Sequence, residues 1–260
     1  MMRFLVILLM FLLAGCAQNP STDSGDAAAS GRTGRGLPGT DTYRVGRAIL
    51  RGQYSVALAE IKEALAIDPA HAPAYNVLAL VHAKLREDRQ AEESFRKAMD
   101  LAPNYSEVRN NFGYFLCQRQ RYAEALPFFD AALMNPLYVP GKSLANAGLC
   151  ALHKGDLALA ENYLQRAMAH ARNQPTALLG MAELEMRQRN VLAARAHFTR
   201  LAEQNEFKPQ MLWLGVRIER ALGNRESEAS YGAQLRRNHP ETVETRRLLE
   251  GQYDMMGTMP

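Results

Sequence analysis

The sequence predicts an all-α protein, a right-handed α-solenoid of six stacked two-helix repeats with a C-terminal capping helix. Three observations carry this expectation. Apolar residues keep helical spacing from Tyr43 onward, with little strand signal. A small residue recurs at Ala57, Ala91, Ala125, Ala160, Ala194 and Ala229, in steps of 34, 34, 35, 34 and 35. One turn after each stands Ile61, Phe95, Phe129, Leu164, Phe198 and a weaker Ala233, and a further turn on stands Ala64, Ala98, Ala132, Ala167, Leu201 and Arg236. Positions i, i+4 and i+7 share one helical face, where the small side chain lets a neighbouring backbone approach and the large one fills the gap. A unit of this length cannot bury its face alone, so the units must stack.

The elements follow in chain order. Residues 1–15 have the layout of an export signal: Arg3, then an apolar run from Phe4 to Leu13 that is too short to cross a bilayer core. Leu13-Ala14-Gly15-Cys16 resembles a bacterial lipobox, which implies that Cys16 receives a diacylglyceryl group and becomes the mature amino terminus. Two or three acyl chains, at about 0.8 kcal/mol per buried methylene, would anchor the chain where one would not. By the same resemblance Ala17 rather than Asp after the cysteine points to the outer membrane, with the lipid-anchored body facing the periplasm. Residues 16–40 are rich in Gly, Ser, Ala, Asp and Pro without apolar periodicity. Such a segment buries too little to offset its ordering entropy and reads as a flexible linker, with a reach of about 25 to 30 Å. Its "GRTGRG" has neither a strand before it nor a helix opening on it, so it is not read as a phosphate loop.

The repeat domain spans 41–254, in units of about 38–71, 72–105, 106–140, 141–174, 175–209 and 210–240, with a cap over 241–250 ended by Gly251. Turns between the helices of a unit appear as "RGQY" and "KGDL", and Pro69, Pro103 and Pro136 follow second helices that they cannot continue. Leu78-Ala79, Phe112-Gly113, Ala147-Gly148 and Met181-Ala182 mark where first helices cross second ones closely. Residues 66–104 therefore resemble a tetratricopeptide repeat. The sixth unit is degenerate, as terminal units of such arrays are. Residues 255–260 read as a disordered tail.

A net charge of +4 on 260 residues is too small to imply a nucleic-acid partner. There is no HExxH, nucleophile elbow or Walker loop, and His71, His82, His153, His170, His197 and His239 lack ligand spacing. No catalytic residue, metal, cofactor or small-molecule substrate is expected. The partner is expected to be a protein, held on the concave face lined by first helices. Candidate contacts there are Asn76, Leu80, Asn110, Asn111, Tyr114, Asn146 and Leu149. Asn amides both donate and accept, which suits a peptide backbone and equally suits bonds between neighbouring helices. Lys142 with Asn146 and Asn111 resembles, incompletely, the carboxylate clamp of some tetratricopeptide domains. Ile49 and Leu50 of the first unit could line an apolar slot, or simply mark an end unit without a neighbour. Cys117 and Cys150 fall on the first helices of adjacent units, where they are either bridged in an oxidising compartment or two buried thiols.

With the lipobox and six units, "NNFGYFLC" and "NPLYVPGKSLANAGLC" and the spacing between them resemble the PilF/PilW family of type IV pilus biogenesis lipoproteins. The resemblance spans almost the whole chain. It implies a pilotin: an outer-membrane lipoprotein that binds secretin subunits, promotes their localisation and multimerisation, and so supports pilus assembly and twitching motility. The alternative from a different class is an adaptor lipoprotein scaffolding enzymes of the cell envelope or cell wall.

Overall fold

A computed structural model describes residues 42–203, 207–254, 256, 257 and 259. The export signal over 1–15, Cys16 and the linker over 16–40 lie outside the described residues. The chain forms six helical hairpins: α1 (Thr42–Leu50) with α2 (Tyr54–Ile67), α3 (Ala72–Lys84) with α4 (Asp88–Leu101), and α5 (Ser106–Gln118) with α6 (Tyr122–Leu133). Then come α7 (Gly141–Lys154) with α8 (Leu157–His170), α9 (Pro175–Arg187) with α10 (Val191–Ala202), and α11 (Pro209–Ala221) with α12 (Arg225–Asn238), before the capping helix α13 (Val243–Leu249). Each hairpin packs on the next and first helices also touch first helices, which gives the stacked tetratricopeptide superhelix. No helix among the described residues is long and apolar enough to cross a membrane.

Local chemistry sets the ends of the helices. Asp68 and Ala102, each just before a proline, are extended (φ −130° and −139°), because the proline ring disfavours a helical residue ahead of it. Every turn inside a hairpin carries one left-handed residue: Gly52, Arg86, Gln120, Gly155, Arg189 or Gly223. Only glycine takes that conformation without cost, so "RGQY" and "KGDL", two of the three glycine turns, understate a device used in all six.

The recurring residues of the second helices make the core. Ala57, Ala91, Ala125, Ala160 and Ala194 are fully buried, as are Ile61, Phe95, Phe129 and Leu164 one turn on, with Phe198 nearly so. Phe95, Phe112 and Phe128 form an aromatic centre, with ring centroids 5.2 Å apart for Phe95 and Phe112 and 4.7 Å for Phe112 and Phe128. In the sixth unit the register differs from the sequence reading by one residue. Ala229 and Arg236 are exposed, while Gly232 and Leu235 face inward. The small position one repeat after Ala194 holds Glu228, whose carboxylate lies 2.9 Å from Arg220 Nη1. A search for small apolar residues passes over it.

Candidate functional site

First helices present their side chains to the inside of the solenoid, and four of the expected Asn contacts meet there. Asn146 Nδ2 of α7 donates to Asn110 Oδ1 of α5 (3.1 Å), Asn110 Nδ2 donates to Asn111 Oδ1 (3.2 Å), and Asn111 Nδ2 donates to Asn76 Oδ1 of α3 (3.2 Å). All four residues are buried. The row is thus a set of struts tying three first helices together, and not an open line of peptide contacts. Asn111→Ala would orphan Asn110 Nδ2 and Asn76 Oδ1 together, so a loss of about 1 to 3 kcal/mol is expected in urea unfolding.

The clamp-like trio is dispersed. Lys142 Nζ lies 3.2 Å from Glu107 Oε1, while Asn146 and Asn111 are engaged in the struts, so no free ammonium converges with their amides on one point. Tyr114 is partly buried, its hydroxyl accepts from Gln118 Nε2 at 2.8 Å, and burial pushes its pKa up to about 12. Leu80 packs against the central core and Leu149 is buried. Ile49 packs into the N-terminal core, while Leu50 is 71% exposed and Val56 and Ile67 of the same unit are exposed as well.

Cys117 of α5 and Cys150 of α7 form a disulfide, with Cα atoms 5.7 Å apart and a sequence separation of 33. Closing a loop of this length removes unfolded-state entropy worth about 3 kcal/mol. Cys117→Ala with Cys150→Ala is expected to lose about that much in chemical unfolding, and mass spectrometry of unreduced chain should find neither sulfur open to alkylation.

The C-terminal half of the inner face holds a second constellation. Glu183 of α9 and Arg217 of α11, one repeat apart, make a buried ion pair with Arg217 Nη1 2.7 Å from Glu183 Oε2. Arg217 Nε also donates to the carbonyl of Tyr253 (3.0 Å), beyond the capping helix. The Tyr253 ring stacks on Trp213 (centroids 5.8 Å apart, planes 19° apart), and the Arg220 guanidinium lies 3.9 Å over it. Further on, Arg187 directs Nε and Nη2 at the Met256 sulfur (3.0 and 2.5 Å), and Arg247 donates to the Met256 carbonyl. Gly257 is buried against Gln210. The described residues Tyr253, Met256 and Gly257 are thus seated against α7, α9 and α11 by two anchoring side chains and several guanidinium donors. Beside it lies a hollow of about 410 Å³ lined by Lys84, Arg86, Arg119, Arg247, Tyr122 and His153, among others. Burial lowers the pKa of His153 below its ordinary value, so its ring resists taking up a proton.

The tetratricopeptide-repeat family pattern matches residues 72–105, the α3 and α4 hairpin. The type IV pilus assembly protein PilF of Pseudomonas aeruginosa is 34% identical over 249 residues, which cover 92% of this chain and 94% of its own. The chain belongs to the PilF/PilW family of type IV pilus biogenesis factors. Two solved family structures agree with that. The crystal structure of PilW, a widely conserved type IV pilus biogenesis factor, matches with a TM-score of 0.67 at 34% identity over 79% of this chain and 94% of that one. Pseudomonas aeruginosa PilF matches with a TM-score of 0.65 at 32% identity, over 81% and 94% of the two chains. The Cut9–Hcn1 tetramer of the anaphase-promoting complex, with a TM-score of 0.71 at 13% identity, shares the fold alone.

Within this family frame, "NPLYVPGKSLANAGLC" spans the α6 to α7 connection, where Leu137 and Val139 are exposed, and runs on through the strut Asn146 to the disulfide Cys150. The residues that the sequence reading missed are Glu183, Arg187, Trp213, Arg217, Tyr253 and Met256. One signal was present: Leu149, Glu183 and Arg217 share a repeat position, and two consecutive charges of opposite sign at a position that buries Leu149 mark an internal pair.

Proposed function

We propose that the chain is an outer-membrane pilotin that, anchored through a lipidated Cys16, binds secretin subunits and promotes their localisation and multimerisation. The observation that carries this reading is the 34% identity to PilF across 92% of the chain. The lipobox-like Leu13-Ala14-Gly15-Cys16 and the stacked repeats support it, since tetratricopeptide-repeat proteins are generally protein-binding scaffolds and not enzymes. The physical advantage is local concentration: a tethered scaffold converts capture of a periplasmic subunit into a membrane-confined event. Deleting the gene is expected to abolish twitching and heat-stable secretin multimers together. Intact multimers with a defect of cell shape or division would instead support the envelope adaptor. Cys16→Ala is expected to leave the solenoid folded and to misplace the secretin, and unaltered secretin localisation would refute the tethering step.

A further inference from the structure

We propose that the inner groove over α7, α9 and α11 is a binding site for an extended peptide, and that Tyr253, Met256 and Gly257 of the chain occupy it as a built-in competitor. The ligand class is a segment with an aromatic side chain, then an unbranched apolar side chain followed by glycine or another small residue, continuing into acidic residues. A partner enters by displacing the tail.

The way the tail is held defines this chemistry. Its contacts combine a side-chain seat with backbone capture: the Tyr253 ring between Trp213 and Arg220, and carbonyls of Tyr253 and Met256 taken by Arg217 and Arg247. Guanidinium groups only donate, so the groove asks its occupant for acceptors, and a peptide carbonyl is an acceptor whatever its side chain. Arg217 is buried and fixed by Glu183, so this donor is preorganised before any occupant arrives. Leu149 and Leu179 line the space beside Met256, and Gly257 is buried against Gln210, where a Cβ would make an ordinary contact at 3.4 Å and a larger side chain would need room. A partner with the same spacing of aromatic, thioether and small residue would make the same bonds.

Two features make the tail an exchangeable occupant. It has no regular secondary structure, so the cost of ordering its backbone is comparable to the gain from half-burying two side chains. Beyond Gly257 the hollow, which Met259 also lines, has a charged lining of Lys84, Arg86, Arg119 and Arg247, with Arg119 already paired to Asp88. Among the described residues no carboxylate lines that hollow, so a partner carrying acidic residues past the glycine meets guanidinium and ammonium groups there.

A fluorescein-labelled peptide QYDMMGTMPEE, residues 252–260 with two glutamates added, is titrated by anisotropy against the full chain and against the Tyr253→Ala, Met256→Lys chain. The substituted tail should vacate the groove, so the peptide is expected to bind that chain at least tenfold more tightly than the natural one. Adding Arg247→Glu should remove the gain, and the peptide without the glutamates should bind less tightly. Equal affinity for natural and tail-substituted chains, binding that survives Arg247→Glu, or no effect of the glutamates would overturn the proposal. Hydrogen exchange on the natural chain provides a measurement free of substitutions: excess peptide should speed exchange of the chain's own residues 252–257, and unchanged exchange would equally overturn it.

Discussion

Leu164→Ala is expected to destabilise the chain by about 4 kcal/mol, towards the upper part of the range for a buried leucine. Leu164 of α8 is fully buried, and its walls are the reason for the size of the effect. A Cβ built on Gly148 of α7 would fall 2.6 Å from Leu164 Cγ, and one built on Gly180 of α9 would fall 2.5 Å from Leu164 Cδ2. The side chain therefore fills a notch cut by the backbones of two successive first helices. Side chains around a deletion can swing inward, but helix backbone held by its own hydrogen bonds cannot, so the cavity stays open. The same geometry predicts non-additivity. Gly148→Ala alone should cost about 1 to 2 kcal/mol, because overpacking outweighs the better helix propensity of alanine. In the Leu164→Ala background it should stabilise, since the methyl enters the space just vacated. Urea unfolding of the four chains measures the coupling. Equal effects of Gly148→Ala in both backgrounds would show that Leu164 does not fill this notch.

What could be read from the sequence follows from which contacts repeat. The second helices were legible because every unit meets the same neighbour with the same small, large, small face, so Ala91, Phe95 and Ala98 announce Ala125, Phe129 and Ala132. The sixth unit lost its register where Glu228 replaced the small residue, an option open to a terminal unit whose outer side carries less of the core. Hairpin turns were legible at Gly52 and Gly155 but not at Arg86, Gln120 and Arg189, which take the left-handed conformation without glycine's signature. The inner face was harder. Asn76, Asn111 and Asn146 keep the repeat spacing whether they bond a peptide or one another, and only coordinates separate the two, by the 3.1 to 3.2 Å contacts between amides. The tail was the least legible, because its seat comes from Trp213, Arg217 and Arg187, distant in sequence, while its own residues show no periodicity.

Breaking the Glu183–Arg217 pair is the other change with a large expected effect, and its two halves should not be equivalent. Both side chains are buried, so removing either partner strands an ion in a poorly solvating interior, at a cost of about 3 to 5 kcal/mol. Arg217→Leu should reach that range, because Glu183 loses the guanidinium 2.7 Å from its carboxylate. Glu183→Leu should cost less, because Arg217 keeps the Tyr253 carbonyl at 3.0 Å and can neutralise part of its desolvation through that bond. The double change to leucine should recover most of the loss, since two apolar side chains in place of a buried ion pair are often neutral or better. Thermal and urea unfolding of the single and double variants measure this, and losses that simply add would mean the two groups do not interact. The double variant also separates stability from seating: it keeps a sound core yet lacks the guanidinium that holds the tail carbonyl, so residues 252–257 should exchange hydrogen faster on an otherwise stable solenoid. A pair kept only for stability would be better replaced by hydrocarbon. Its retention beneath Tyr253 is accounted for by the donor it fixes in place for an extended backbone crossing the groove.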